Sequence, residues 1–352
     1  MSQSNPKIAI VHDFLQTLGG AERVLLAISE IYPDAPIYTL TYDKKLDSHF
    51  GNKKIVTSYL QKWSWLPTKF LLPFYPLAIE SFNFDNFNIV ISNSHSFSKN
   101  ILTKPETIHI SYVNSPMRYV WDAWHSYLAG QKLFWPAKGI VINILHKLRI
   151  WDRLGVSRVD YFVANSKHVQ KRIQKYYRRD SRVIYPPVDT DKITVSHERK
   201  NYFLALSRLS QYKRIDLAVQ ACKELNLQLV VIGSGEAEAD LKKLGNENIT
   251  FVGWMDDSRK FEYIRNARAL IFPGEEDFGI VPVEAMSAGK PVIAYGKGGL
   301  LETVVEGKTG LFFNEPTVES LKQAIQNFIS REGEGNNSTI QQFNNRDRKG
   351  GG

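Results

Sequence analysis

Strand-like and helix-like segments alternate along both halves of this chain, and a stiff proline pair separates the halves. Residues 7–12, 37–40, 88–92, 109–113 and 161–164 read as buried strands. Residues 21–31 place Val24, Leu25, Ile28 and Ile31 at helical spacing, with Pro33 just beyond. Asn165 and Ser166 cap a basic helix running toward Arg179. Tyr185-Pro186-Pro187-Val188-Asp189 is extended and lacks two backbone donors, so it reads as a linker. The rhythm then resumes, with strands expected at 202–206, 227–232, 250–253, 269–272 and 292–295. Strands of this kind separated by helices require parallel sheets covered on both faces. The expectation is an α/β protein of two doubly wound domains facing a cleft, 1–187 and 188–330. A Gly-, Asn-, Arg- and Gln-rich tail, 331–352, has almost no apolar residues and is expected to be disordered.

A chain of 352 residues has room for two cores, and 43% apolar with 23% charged residues describes a soluble globular protein. The single cysteine, Cys222, excludes a disulfide framework and a cysteine metal cluster. It falls among Ile215, Ala218 and Val219 and reads as a small core hydrophobe. No apolar run is long enough to span a bilayer, and the polar residues 1–7 do not form a signal peptide. The expected location is cytoplasmic, with peripheral attachment to the inner face of the plasma membrane left open. A net charge of +9 suits an anionic partner, which by charge alone is nucleic acid, an acidic membrane or a diphosphate.

Residues 272–286 carry the densest chemistry. Glu276 and Glu284 are separated by seven residues that include Gly279 and Pro282. A strand runs in through Phe272 and a helix runs out toward Gly289, which places Glu276 on the loop and Glu284 in the first helical turn. A helix N-terminus offers unpaired amides and a positive dipole end, both of which attract phosphate. Three further segments accompany it: Gly19-Gly20-Ala21-Glu22-Arg23, Ser207-Arg208-Leu209-Ser210-Gln211-Tyr212-Lys213 and Val231-Ile232-Gly233-Ser234-Gly235.

These four segments, in this order, resemble the large family 4 of retaining glycosyltransferases with two Rossmann-like domains, the GT-B fold. The resemblance covers about residues 7 to 330. It implies a donor that is a nucleotide diphosphate sugar, held by the C-terminal domain, and an acceptor-binding N-terminal domain. It leans toward mannose or a related hexose and toward polysaccharide or O-antigen assembly, with a glycan or lipid-linked acceptor. Arg208 and Lys213 match the diphosphate-binding pair, with Arg214 a competing assignment. Glu276 matches the residue that contacts the donor sugar's hydroxyls, together with the backbone of Asp277, Phe278, Gly279 and Ile280. Glu284 matches the residue that holds the ribose. Gly19 and Gly20, Gly233 and Gly299 fall where loops approach the donor, though each also reads as a plain turn. His95, Asn114 and Arg118 are the acceptor- or sugar-facing candidates of the first domain. Many relatives have a histidine at Asn114, and the amide keeps hydrogen bonding but loses any proton role. The family usually returns a C-terminal helix to the first domain, and residues 331–352 depart from that.

Two cations and a helix N-terminus are enough to stabilise a departing diphosphate, so no metal and no cofactor is expected. Gly307-Lys308-Thr309 lacks the earlier glycine of a P-loop, and no zinc-ligand spacing occurs. Residues 59–75 interleave aromatics with Lys62 and Lys69 and, with residues 131–136 and the basic stretch 147–153, read either as a membrane-docking face or as aromatic core. Two other functional classes remain: a non-catalytic nucleotide-sugar-binding or regulatory protein of the same fold, and a nucleic-acid-binding protein. No aromatic RNA-binding signature or recognition helix supports the last, and no nucleic-acid partner is expected.

Overall fold

The computed structural model describes residues 5–125, 128, 135–196 and 199–333. The chain divides into two compact units, Met1–Pro187 and Val188–Gly352. In the first, β1 (Ile8–His12), β2 (Ile37–Thr39), β3 (Ile55–Thr57), β4 (Ile89–Ser94), β5 (Ile108–Val113), β6 (Tyr161–Ala164) and β7 (Arg182–Val183) form a sheet in the order β3-β2-β1-β4-β5-β6-β7. In the second, β8 (Phe203–Leu206), β9 (Leu229–Ile232), β10 (Ile249–Gly253), β11 (Leu270–Phe272), β12 (Val292–Tyr295) and β13 (Gly310–Phe313) are ordered β10-β9-β8-β11-β12-β13. Every pair is parallel. Both units are therefore doubly wound, Rossmann-like sheets. The strand order reverses once in each, between β1 and β4 and between β8 and β11. Loops leaving the carboxyl ends of such a strand pair splay apart, and ligands of this architecture bind there.

Side-chain alternation builds a core on each face of each sheet. In the second unit Phe203, Ala205, Ile271 and Ile293 pack under helices Ile215–Glu224 and Val318–Gly333. Their neighbours Leu204, Leu206, Leu270, Phe272 and Val292 pack on the opposite face with Phe261, Ile264 and Ala285. Cys222 is fully buried, and burial pushes its thiol up to about 12. In the first unit Ala9 and Val11 face one core while Ile10 faces another beside Leu25 of helix Gly20–Ile31.

Two expectations need correction. Helix Ile280–Ser287 begins before Pro282, so Glu284 is its fifth residue and lies in the second turn. Pro282 is tolerated there because first-turn amides have no intrahelical acceptor. The polar tail also starts later than residue 331, since helix Val318–Gly333 continues through it. Glu332 anchors that last turn by accepting from Arg199 at 2.8 Å and Arg268 at 2.6 Å. Residues 334–352 lie outside the described residues.

Buried His109 contributes stability to the first unit that acid removes. His109 on β5 lies 3.1 Å from the Arg158 carbonyl oxygen through Nδ1 and 2.9 Å from Ser92 Oγ through Nε2. A carbonyl only accepts, so Nδ1 carries the proton and Nε2 accepts from the hydroxyl. Burial holds this imidazole neutral, down to about 4. The unfolded chain protonates it near the ordinary value of about 6.5. Below that value the unfolded state binds the extra proton, so this contribution is complete above the unfolded pKa and falls away as pH drops toward 4. Between pH 7 and 5 it removes about 2 kcal/mol. Urea unfolding of His109→Gln at the two pH values is expected to show an acid loss smaller by about that amount. Equal losses in variant and parent would contradict it.

Candidate functional site

The second unit brings the sequence-selected residues to its switch point. The loop after β8 carries Arg208 and Lys213, and the loop after β11 carries Glu276 and leads into helix Ile280–Ser287. Lys213 and Glu276 form an ion pair across the gap between the two loops. Arg208 lies exposed on the same loop. Arg214 turns away: its guanidinium meets Asp216 at 3.1 Å, and its backbone takes the left-handed conformation that starts helix Ile215–Glu224.

The β11 loop is held from the side by the loop after β12. Gly298 has φ +71°, and a Cβ there would lie 2.3 Å from the Glu276 carbonyl oxygen. Only glycine allows both the backbone angle and this approach. Gly299 donates its amide to the same carbonyl at 2.7 Å. That amide is therefore engaged in bracing the loop. Gly233 likewise donates to the Gly253 carbonyl at 2.9 Å. Gly279 caps helix Ile280–Ser287 with φ +92°. Phe278 is buried beneath the turn, while Asp277 and Ile280 are half-buried.

Glu284 is buried, and its Oε1 lies 2.8 Å from Lys260 Nζ. Lys260 comes from the neighbouring helix Asp257–Asn266 and also meets Asp257 at 3.0 Å. Sequence reading missed this lysine. Its signal was present: it is a cation four residues before Ile264, on the face that Phe261 and Ile264 bury.

The first unit has its own polar cluster at its switch point. Asp13, directly after β1, is fully buried and accepts four amides of the β4 loop. Those from His95, Ser96, Phe97 and Ser98 span 2.6–2.9 Å. Burial opposes the Asp13 charge, yet His95, His12 and these amides hold the carboxyl below its ordinary range. His95 is partly exposed, with Nδ1 3.1 Å from Asp13 Oδ2. His12 is enclosed, with Nδ1 3.0 Å from the Asn93 carbonyl oxygen and Nε2 3.3 Å from Glu22 Oε1. Burial alone would lower the His12 imidazole, but Glu22 and Asp13 overrule it and raise the group.

Glu22 also accepts the Gly19 amide at 2.8 Å, so Gly19 serves its own helix start, with Gly20 the first helical residue. Asn114 is buried and donates to Asn93 Oδ1 at 2.5 Å. It belongs to an amide network rather than to open surface. Arg118 is half-buried in a short turn, Arg118–Val120. His12, Asp13 and Asn93 were not singled out from sequence, and Glu22 entered only as part of the glycine-pair segment. For His12 and Asp13, polar residues ending a buried strand just before a glycine pair were the available sign.

The chain also resembles known proteins in sequence and in fold. Residues 189–348 match the family model described as glycosyl transferases group 1. The α-1,3/1,6-mannosyltransferase ALG2 of Candida glabrata is 31% identical over 42% of this chain and 44% of its own length. The corresponding protein of Dictyostelium discoideum is 30% identical over 54% and 58%. The chain thus spans about half the length of the curated relatives it matches. The crystal structure of Anabaena Alr3699/HepE with UDP-glucose superimposes with a TM-score of 0.69 at 19% identity, covering 96% of this chain and 92% of that one. In sequence and in fold the chain is similar to GT-B glycosyltransferases.

Proposed function

We propose that this chain is a retaining hexosyltransferase of the GT-B fold, moving mannose or a related hexose from a nucleoside diphosphate to an acceptor hydroxyl. The observation that carries the reading is the Lys213–Glu276 pair across the β8–β11 switch point, with Arg208 exposed on the Lys213 loop and a helix N-terminus leading away. A diphosphate entering here meets two cations and the first-turn amides of helix Ile280–Ser287. Its charge draws Lys213 from Glu276 and frees the carboxylate to accept from sugar hydroxyls. As the bond from the anomeric carbon to the diphosphate oxygen breaks, the acceptor oxygen bonds to that carbon on the same face. The departing phosphate oxygen takes the acceptor's proton, which preserves the anomeric configuration without a protein nucleophile. Preorganised charge of this kind acts without reorganisation as the leaving group gains charge. The names of the mannosyltransferase relatives support mannose, and the UDP-glucose bound by HepE supports a nucleotide-sugar donor.

The test is a panel of nucleoside diphosphate hexoses, read first by thermal stabilisation and then by transfer to sugar acceptors in a chelator. One donor is expected to stabilise the protein and to be transferred at an undiminished rate with EDTA, the product keeping the donor's anomeric configuration by NMR. Inversion, or activity that vanishes in EDTA and returns with magnesium, would overturn the mechanism. Stabilisation with neither transfer nor donor hydrolysis would favour a binding protein of the same fold.

A further inference from the structure

Residues 59–80 fold into a series of short helical turns, Tyr59–Trp63, Thr68–Leu71, Leu72–Phe74 and Tyr75–Glu80. Leu60, Leu71, Tyr75, Ala78 and Ile79 face inward and are buried. That inward anchoring fixes the remaining side chains outward. Trp65 is 77% exposed, Leu77 64%, Phe70 60% and Phe74 52%, with Trp63 and Tyr59 also exposed. Isolated apolar residues on a surface need no explanation, but six large ones within nineteen residues concentrate exposed apolar surface on this segment.

A second element extends it. Helix Trp135–Leu154 packs Leu145 and Leu148 into the same core cluster as Leu71 and Tyr75. Trp151 donates to Glu80 at 2.9 Å, tying the two elements together. The helix leaves Ile140, Ile150 and Leu154 exposed, alongside Lys138, Lys147 and Arg153. Residues 131–134 lie outside the described residues and contribute nothing here.

Exposed charge on this face is mostly of one sign, and Glu80 at its end is engaged by Arg158 and Trp151. No Asp or Glu occurs between Asp47 and Glu80. Asp152, the one acid of the helix, is fully buried against Lys99 at 2.7 Å. Lys62 and Lys69 project among the aromatics, with Lys69 Nζ 5.4 Å above the Phe70 ring.

We propose that these two elements form a face that docks the first unit on an anionic lipid bilayer. Protein interfaces favour arginine and are depleted in lysine at their centres. Here the central cations are lysines interleaved with tryptophan and phenylalanine, the combination that suits the headgroup level of a membrane. Basic groups are drawn to acidic headgroups while the rings insert between them. The turns are too short to enter further, and among the described residues no helix is long and apolar enough to cross a membrane.

Sedimentation of the full chain with vesicles tests this independently of the enzymatic reading. Vesicles of phosphatidylcholine alone are compared with vesicles containing phosphatidylglycerol, at low and high salt. The parent is expected to bind only the anionic vesicles and to release as salt rises. Trp65→Ser/Phe70→Ser/Phe74→Ser and Lys62→Glu/Lys69→Glu are each expected to bind about tenfold less or weaker still. Both should keep the parent's melting temperature and nucleoside diphosphate affinity, since every altered side chain is exposed. No binding to anionic vesicles at low salt would overturn the proposal. So would full binding by the serine variant, which would reduce the effect to net charge. A dimer of the parent that the serine variant abolishes would instead make this face a contact between copies.

Discussion

Arg208→Ala is expected to lower transfer by about 10²–10³-fold with no change in melting temperature, as for the loss of one preorganised charge stabiliser. Arg208 is exposed, so its removal leaves no buried partner behind. Lys213→Ala should produce a loss of similar size, but its interpretation needs a second variant. Lys213 is paired with Glu276, and its removal leaves that carboxylate without this cation. The double variant Lys213→Ala/Glu276→Ala separates the two meanings. If Lys213 merely neutralises Glu276, deleting both restores much of what the single change cost. If Lys213 meets the diphosphate while Glu276 meets the sugar, the double variant is at least as impaired as either single one. Steady-state kinetics with saturating donor decides between them. Activity within a few-fold of the parent for both Arg208→Ala and Lys213→Ala would remove the diphosphate assignment altogether.

The central strands were legible because parallel strands buried on both faces are written as nearly unbroken apolar runs. Residues 203–206 and 292–295 are buried at every position. The strands that escaped notice lie at sheet edges or next to turns. β3 is three half-buried residues, β7 is two, and β13 emerges from a glycine turn that resembles part of a phosphate loop. Linear motifs marked Arg208, Lys213, Glu276 and Glu284, since each follows a strand whose position the alternation fixes. Their partners were not legible to the same degree. Lys260 reaches Glu284 from a helix that precedes it by a full strand, and Asp13 collects amides more than eighty positions away. Such pairings follow from which strands become neighbours at the switch point, and local periodicity does not encode that. The glycines show the same limit. Their positions signalled close approach, but sequence could not tell approach to a ligand from approach to another loop, and Gly298 makes the second kind.

Glu284→Gln is expected to weaken a nucleoside diphosphate and the corresponding sugar nucleotide by the same factor, about 10- to 100-fold, as for a lost charge-assisted hydrogen bond. Glu276→Gln is expected to weaken the sugar nucleotide by a similar factor and leave the nucleoside diphosphate unchanged. The ribose is common to both ligands and the hexose is not. Glutamine is the right replacement at 284, because alanine would strip the buried Lys260 of its 2.8 Å partner and leave it the more exposed Asp257 and the face of the Phe261 ring. Breaking a buried pair from one side costs about 3–5 kcal/mol, enough to confuse binding with folding. The ratio of the two affinities within one variant removes that confusion. A smaller folded or competent fraction weakens both ligands alike and cancels. Titration calorimetry therefore reads the Glu276 role from a changed ratio. It reads the Glu284 role from an unchanged ratio with both constants shifted, in a variant that melts as the parent does. A ratio that changes with Glu284→Gln and not with Glu276→Gln would mean that the two roles are exchanged. A lower melting temperature with both affinities intact would make Glu284 a partner of Lys260 alone, and the ribose would be held elsewhere.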